Sequence, residues 1–264
     1  MPGPCLIEEL AWPELAARLE QGETLCVLPV GATEQHGRHL PCGTDSLLVE
    51  AFCRAASSRT GVPLLPTVRV SSSHAHTTTW PGTLSLPPRM LVEVILEMAS
   101  WVRASGFEKL LIVNGHAGNP APLKVAADEL RWRGGLRVGV AHWFALTDEI
   151  AAAVAHDAAD WHANAAETSL MLHLRPELVR VSEIRDDPDR TEGLALSYTV
   201  AQTSIEGVTG APSTASAQSG EALFETVVAA LSELIERVRV ETPPRLEPVA
   251  ELGSGGQPER REKR

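Results

Sequence analysis

The chain lacks what a membrane or a nucleic acid would require of it. No apolar run reaches the roughly 20 residues of a spanning helix. The opening residues show no basic stretch followed by an apolar one, the pattern that directs secretion. Acidic residues outnumber basic ones, 34 to 23, for a formal net charge of −11 with both signs scattered along the chain. A surface of that balance repels phosphate backbones, which argues against nucleic acid as a partner. Cys5, Cys26, Cys42 and Cys53 form no CxxC pair and no zinc-finger spacing. They read as reduced thiols, and the expected address is the cytoplasm. Of the four, Cys42 lies among polar neighbours, where a small residue in a turn accounts for it. GxGxxG, the P-loop pattern and GxSxG are also missing, which removes the usual signatures of dinucleotide binding, phosphate cradling and a nucleophile elbow.

What is present is a run of alternating elements. A chain of 264 residues can bury a substantial core, and no composition break divides it before about residue 240. The expectation is a single α/β domain over residues 1–240 and a disordered, charge-rich tail over 241–264. Apolar runs at 24–30, 62–70, 109–113 and 136–143 read as strands. Patterns at 46–58, 88–104, 122–133, 147–155, 167–173 and 219–239 read as helices. Strands alternating with helices predict a mainly parallel sheet. Residues 185–219 carry little periodicity and read as loops with short strands.

Three polar clusters fall in loops after strands or before helices, where ligands bind in α/β proteins. The first is Glu34-x-His36 with Asp45; residues two apart share a face in extended backbone, and Gly and Pro allow Asp45 to return to the same point. The second is the run Asn114-Gly115-His116-Ala117-Gly118-Asn119, and the third runs from Trp161-His162 to Glu167. Carboxylates and neutral imidazoles are ligands for zinc, manganese and iron. Glu34 and His116 would fill one ion's sphere, His36 would begin another's, and a carboxylate such as Asp45 can bridge the pair. A lone histidine is explained by a loop hydrogen bond; this combination is not. Phosphate is a poor alternative at the second cluster, because Pro120 and Pro122 withhold backbone donors. His74 and His76, in a polar run before Trp80-Pro81-Gly82-Thr83, are candidates for a pocket lining together with Trp161.

Taken together, the motifs resemble the creatininase (creatinine amidohydrolase) family. The resemblance rests on Pro29 to Gly37, Leu40-Pro41, Gly43-Thr44-Asp45, Trp80 to Thr83, Val113 to His116, His162 to Ser169 and the closing turn Val208 to Ser216. It implies a three-layer α/β/α sandwich, assembly into homo-hexamers, and two divalent ions per subunit, zinc foremost with manganese or iron as alternatives. It also implies hydrolysis of a C–N bond in a small cyclic or linear amide. By resemblance Glu34 and His116 hold one metal, His36 the other, and Asp45 bridges them. Creatininase itself has a carboxylate two residues after the loop histidine, where this chain has Gly118, as do branches with an NGHGGN-type loop. Glu167 is then the best remaining acid for the second ion, although the resemblance also offers His162 and Glu167 as proton-transfer groups. Asn164-Ala165 and Arg38 depart from the family pattern near the expected pocket and argue against creatinine as substrate. The alternatives are hydrolysis of a sugar- or inositol-derived ring ketone, a peptidase-like activity, or a metal-binding scaffold without turnover.

Overall fold

A computed structural model describes residues 3–76 and 79–244. Five parallel strands form one sheet in the order β1-β3-β2-β4-β5. They are β1 (Cys5–Leu6), β2 (Leu25–Val30), β3 (Pro63–Leu64), β4 (Lys109–Asn114) and β5 (Arg137–His142). β2 and β4 are buried along their whole length, as central strands covered on both faces must be. Their side chains alternate between two cores. Leu25, Val27, Leu111 and Val113 face α2 (Thr44–Thr60), α5 (Asp148–Val154), α6 (Ala165–Leu174) and α8 (Ala217–Val240). Cys26, Leu28, Val30, Leu110 and Ile112 face α3 (Pro88–Ala104) and α4 (Pro120–Arg133). The result is the three-layer α/β/α sandwich. Phe52 of α2 anchors the first core against Trp143, with ring centroids 5.1 Å apart. Truncation of a fully buried aromatic of this kind costs about 3–5 kcal/mol.

The strand order creates the place for a site. From β2 the chain crosses by α2 to β3 on one side, and from β3 it returns by α3, over the opposite face, to β4 on the other side. Connections therefore leave β2 and β4 in opposite directions and open a crevice at their carboxyl ends. The register brings the ends level: Val30 pairs with Asn114, and Asn114 with His142.

The elements differ from the sequence reading in ways that have physical causes. The extended run 62–70 pairs as a strand only at Pro63–Leu64, with an isolated bridge from Val68 to Val30. Pro63 and Pro66 lack the N–H a longer ladder would need. α2 begins at Thr44, so Asp45 stands on its first turn instead of in a preceding loop, and α2 ends at Gly61, whose φ of +71° suits glycine. α4 begins at Pro120, where a missing N–H costs nothing. α6 begins at Ala165 because Asn164 caps it, accepting from the Glu167 N–H at 3.1 Å. β1 and the amphipathic helix α1 (Trp12–Glu20) were not anticipated; a two-residue strand carries no periodicity. Within 185–219 lie short helical turns, including α7 (Val200–Thr203), and isolated bridges, with no longer strand among the described residues. The predicted tail lies outside the described residues from 245 onward.

Candidate metal centre

Two glycines let the helix approach the strand ends. A Cβ on Gly31, just after β2, would stand 2.5 Å from Ser46 Cα, and one on Gly115, just after β4, would stand 2.8 Å from the Asp45 carbonyl oxygen. The first turn of α2 is thus seated between the two strand ends, and Asp45 meets residues from both. His116 is held by its own loop: its N–H donates to Asn114 Oδ1 (3.1 Å), and its carbonyl accepts from Asn114 Nδ2 (2.8 Å). Asn119 Nδ2 in turn donates to Asn114 Oδ1 and to the Gly31 carbonyl. Short polar side chains folding onto nearby backbone are a local signal, and the Asn114–Asn119 spacing carried it.

Glu34, Asp45 and His116 form one triad and His36, Asp45 and Glu167 a second, the ligand atoms of each lying within 4.8 Å of one another; all five side chains are buried. Asp45 belongs to both. Its Oδ1 stands 3.5 Å from His36 Nε2, and its Oδ2 stands 3.5 Å from His116 Nδ1. The imidazoles are oriented from behind, as metal-binding histidines are. His36 Nδ1 donates to the Glu34 carbonyl at 3.0 Å, leaving Nε2 free toward Asp45 and Glu167. His116 Nε2 donates to the Ser72 carbonyl at 3.0 Å, leaving Nδ1 toward Asp45. Gly118 makes that contact possible, since a Cβ there would stand 2.4 Å from His116 Nε2. Glu167 Oε2 accepts the Ala163 N–H at 2.7 Å, and Oε1 faces His36 at 3.7 Å. Ala163 adopts φ +49°, an uncommon backbone for alanine, immediately beside the site.

The donor set suits cations. Both oxygens of Glu34, Nε2 of His36 and Oδ2 of Asp45 are buried without a hydrogen-bond partner. Leaving such atoms unpaired costs about 1–3 kcal/mol each, more when charged. Burial pushes Glu34 up to about 7, against the pull of His116. Burial also opposes ionisation of Asp45, but His36 and His116 together hold it below its ordinary range. His36 is lowered by burial and raised further by Asp45 and Glu167, so it ends well above its usual value. Three buried carboxylates converging with two imidazoles, four of their polar atoms unpaired, fit divalent ions bound by oxygen and nitrogen donors.

Above the triads opens a cleft of about 350 Å³, whose lining includes His74, His76, Trp161, His162 and Tyr198. All three residues expected to line a pocket, His74, His76 and Trp161, do so. His162 completes a third cluster with Glu34 and His36, and it is fixed by reciprocal backbone bonds to Thr209 (3.1 and 2.8 Å). Burial and neighbouring histidines push His76 down to about 3 and His162 well below its ordinary value, which favours the neutral form of both rings. Trp161 leans edge-on against Phe144 at 5.3 Å. Cys42 joins neither triad; it packs where a Cβ on Gly82 would stand 2.5 Å from its sulfur. Sequence reasoning missed Gln35, Ser72 and Tyr198, none of which carries a signal before the loops are folded together.

The family model for creatinine amidohydrolase matches residues 8–235. Creatinine amidohydrolase of Pseudomonas putida is 31% identical over 259 residues, covering 90% of this chain and 97% of the relative. Mycofactocin precursor peptide peptidase of Mycolicibacterium smegmatis is 32% identical over 229 residues, covering 81% and 85%. Among solved structures, a Zn–Zn form of a creatininase variant superposes with a TM-score of 0.78 at 27% identity, covering 90% of this chain and 99% of that one.

Proposed function

The chain belongs to the creatininase family, and on that premise we propose that it is a dinuclear metal-dependent hydrolase cleaving a C–N amide bond in a small cyclic or linear amide. The observation that carries the reading is Asp45, with one oxygen facing His36 and the other His116, and with its own Oδ2 and three donor atoms around it buried without partners. Glu34 and His116 would hold one ion and His36 and Glu167 the other, with Asp45 shared. Glu167 acts as a ligand in this reading, because the Ala163 N–H occupies one oxygen and the other already faces His36. That leaves His162 as the proton carrier. Divalent ions in these triads supply a Lewis acid for the carbonyl oxygen and lower the pKa of water toward neutrality. His162, in the wall of the cleft beside Glu34, takes the proton of the attacking water and returns it to the departing nitrogen. Trp161 and the walls of the cleft orient the amide and exclude bulk water.

Gly118 favours a substrate other than creatinine. By the family resemblance creatininase carries a carboxylate at this position, and here a side chain has no room while His116 keeps its bond to Ser72. Short peptides, the substrate type of the mycobacterial relative, therefore belong in the assay beside lactams and N-formyl compounds. Zinc is the first ion to test, with manganese and iron following, since imidazole and carboxylate donors suit all three. The reading extends to a homo-hexamer, measured by light scattering, and to a cytoplasmic address, which four free cysteines fit. The decisive experiment strips the protein with a chelator and assays the panel before and after Zn²⁺ or Mn²⁺ is restored. Turnover that returns with metal is expected; turnover that survives complete removal overturns the proposal.

A further inference from the structure

We infer that Gln35 is a positioning residue: it locks His76 and His162 in the same tautomer while their opposite mounting makes one a donor and the other an acceptor toward the cleft. The inference rests on the hydrolase reading for its catalytic meaning, though not for its geometry.

The amide of Gln35 has two chemically distinct ends. Oε1 accepts the Gly37 N–H at 2.9 Å, which turns Nε2 toward the histidines. Gly207 leaves room for this, because a Cβ there would stand 2.3 Å from Oε1. Gln35 Nε2 lies 3.1 Å from His76 Nδ1. An NH₂ group only donates, so His76 Nδ1 accepts and carries no hydrogen, which places the ring's N–H on Nε2. His162 is fixed by the same residue's backbone. Its Nε2 lies 2.8 Å from the Gln35 carbonyl, which only accepts, so this ring also carries its hydrogen on Nε2. The longer 3.1 Å approach of the Gln35 amide to that atom adds no second bond.

The two rings are mounted in opposite senses. His76 directs Nε2–H at Glu34 Oε1, 3.5 Å away, whereas His162 directs its bare Nδ1 at the same oxygen from 3.6 Å. Their centroids are 4.2 Å apart. Glu34 and both rings line the cleft, so an amide carbonyl seated among them would meet the N–H of His76 beside the bare nitrogen of His162. His76 is the donor for the oxygen that gains charge, and His162 receives the proton. Gln35 touches neither substrate nor product; it decides which ring does which.

Neutron diffraction from crystals of the deuterium-exchanged, zinc-loaded protein tests the geometry without any substrate. Deuterium on Nε2 of both rings and none on Nδ1 is expected; deuterium on His76 Nδ1 overturns the inference. Because this readout needs no turnover, it stands or falls separately from the hydrolase reading. The kinetic arm uses Gln35→Glu, nearly isosteric, which still accepts from Gly37 but faces His76 with an acceptor. It should move the hydrogen of His76 to Nδ1, withdraw the donor from the cleft and lower kcat by about 10²–10³-fold, the usual loss for one oxyanion donor. KM, zinc content and melting temperature should stay near those of the parent. In a His76→Ala background the same substitution should cost nothing further. Losses that multiply, or zinc lost in Gln35→Glu alone, would show a merely structural role and overturn the inference.

Discussion

The two ends of β2 and β4 bury ionisable groups in opposite states. At the starting end, Lys109 spends all three of its donors: Nζ reaches the carbonyls of Val238, Arg239 and Glu241 at 2.9, 2.6 and 2.8 Å, closing the last turn of α8. A cation there also meets the negative end of the helix dipole. At the carboxyl end, Glu34, His36 and Asp45 are at least as deeply buried, yet four of their polar atoms have no partner. A buried charge whose valences are filled is part of the scaffold. Buried donors that converge and remain unfilled are held ready for something the chain does not itself supply.

That contrast can be broken at either end, and the largest effect belongs to the open one. Asp45→Ala removes the shared oxygens, so metal analysis should find both ions lost and hydrolysis reduced to the level of the stripped protein. Full metal content in this variant would end the bridging role. Next comes Gly118→Ala, which forces a Cβ against His116 Nε2 and the Ser72 carbonyl. By disturbing the bond that orients His116, it should weaken metal affinity by roughly 10–100-fold in a competition titration.

Glu34→Gln sharpens the comparison through pH. The folded-state value of Glu34 is raised from 4.5 to about 7. A raised value means that its contribution to stability is fully present below the unfolded pKa and is lost as pH rises through about 7. In the metal-free protein the substitution should therefore be stabilising at pH 8 relative to pH 5, by up to roughly 3 kcal/mol. Denaturant midpoints at the two pH values would check it, and equal shifts at both would contradict it. At the filled end, Lys109→Met should cost about 1–3 kcal/mol of stability by leaving helix-end carbonyls unpaired. Specific activity per folded molecule should not change. A loss of turnover without a loss of stability would erase the distinction between the two ends.

Much of this was legible in the sequence because it is local. Alternating apolar runs and helical periods carry the sandwich, since β2 and β4 need apolar side chains on both faces. Glu34, His36, Asp45, His116 and Glu167 could be singled out because each follows a strand or opens a helix with a glycine or asparagine within three residues. Other features were illegible for equally physical reasons. β1 is too short to show a period. β3 is cut short by its prolines, and Asp45 proved helical because Gly31 lets α2 begin close to the sheet. Gln35 looked like a spacer between two ligands, and only the folded loops bring His76 and His162, 41 and 127 residues away, onto it.

By itself, then, the sequence determined the layers of the fold, the family and the kinds of donor available, because period, glycine placement and ligand chemistry are properties of short stretches. The tertiary structure alone decided which donors meet. It divided them into two triads joined at Asp45, set Glu167 against His36, and left both oxygens of Glu34 buried without a partner. Those outcomes depend on distances between segments as much as 131 residues apart, and such distances are set by how α2, α6 and the two strand ends pack, which no local pattern encodes.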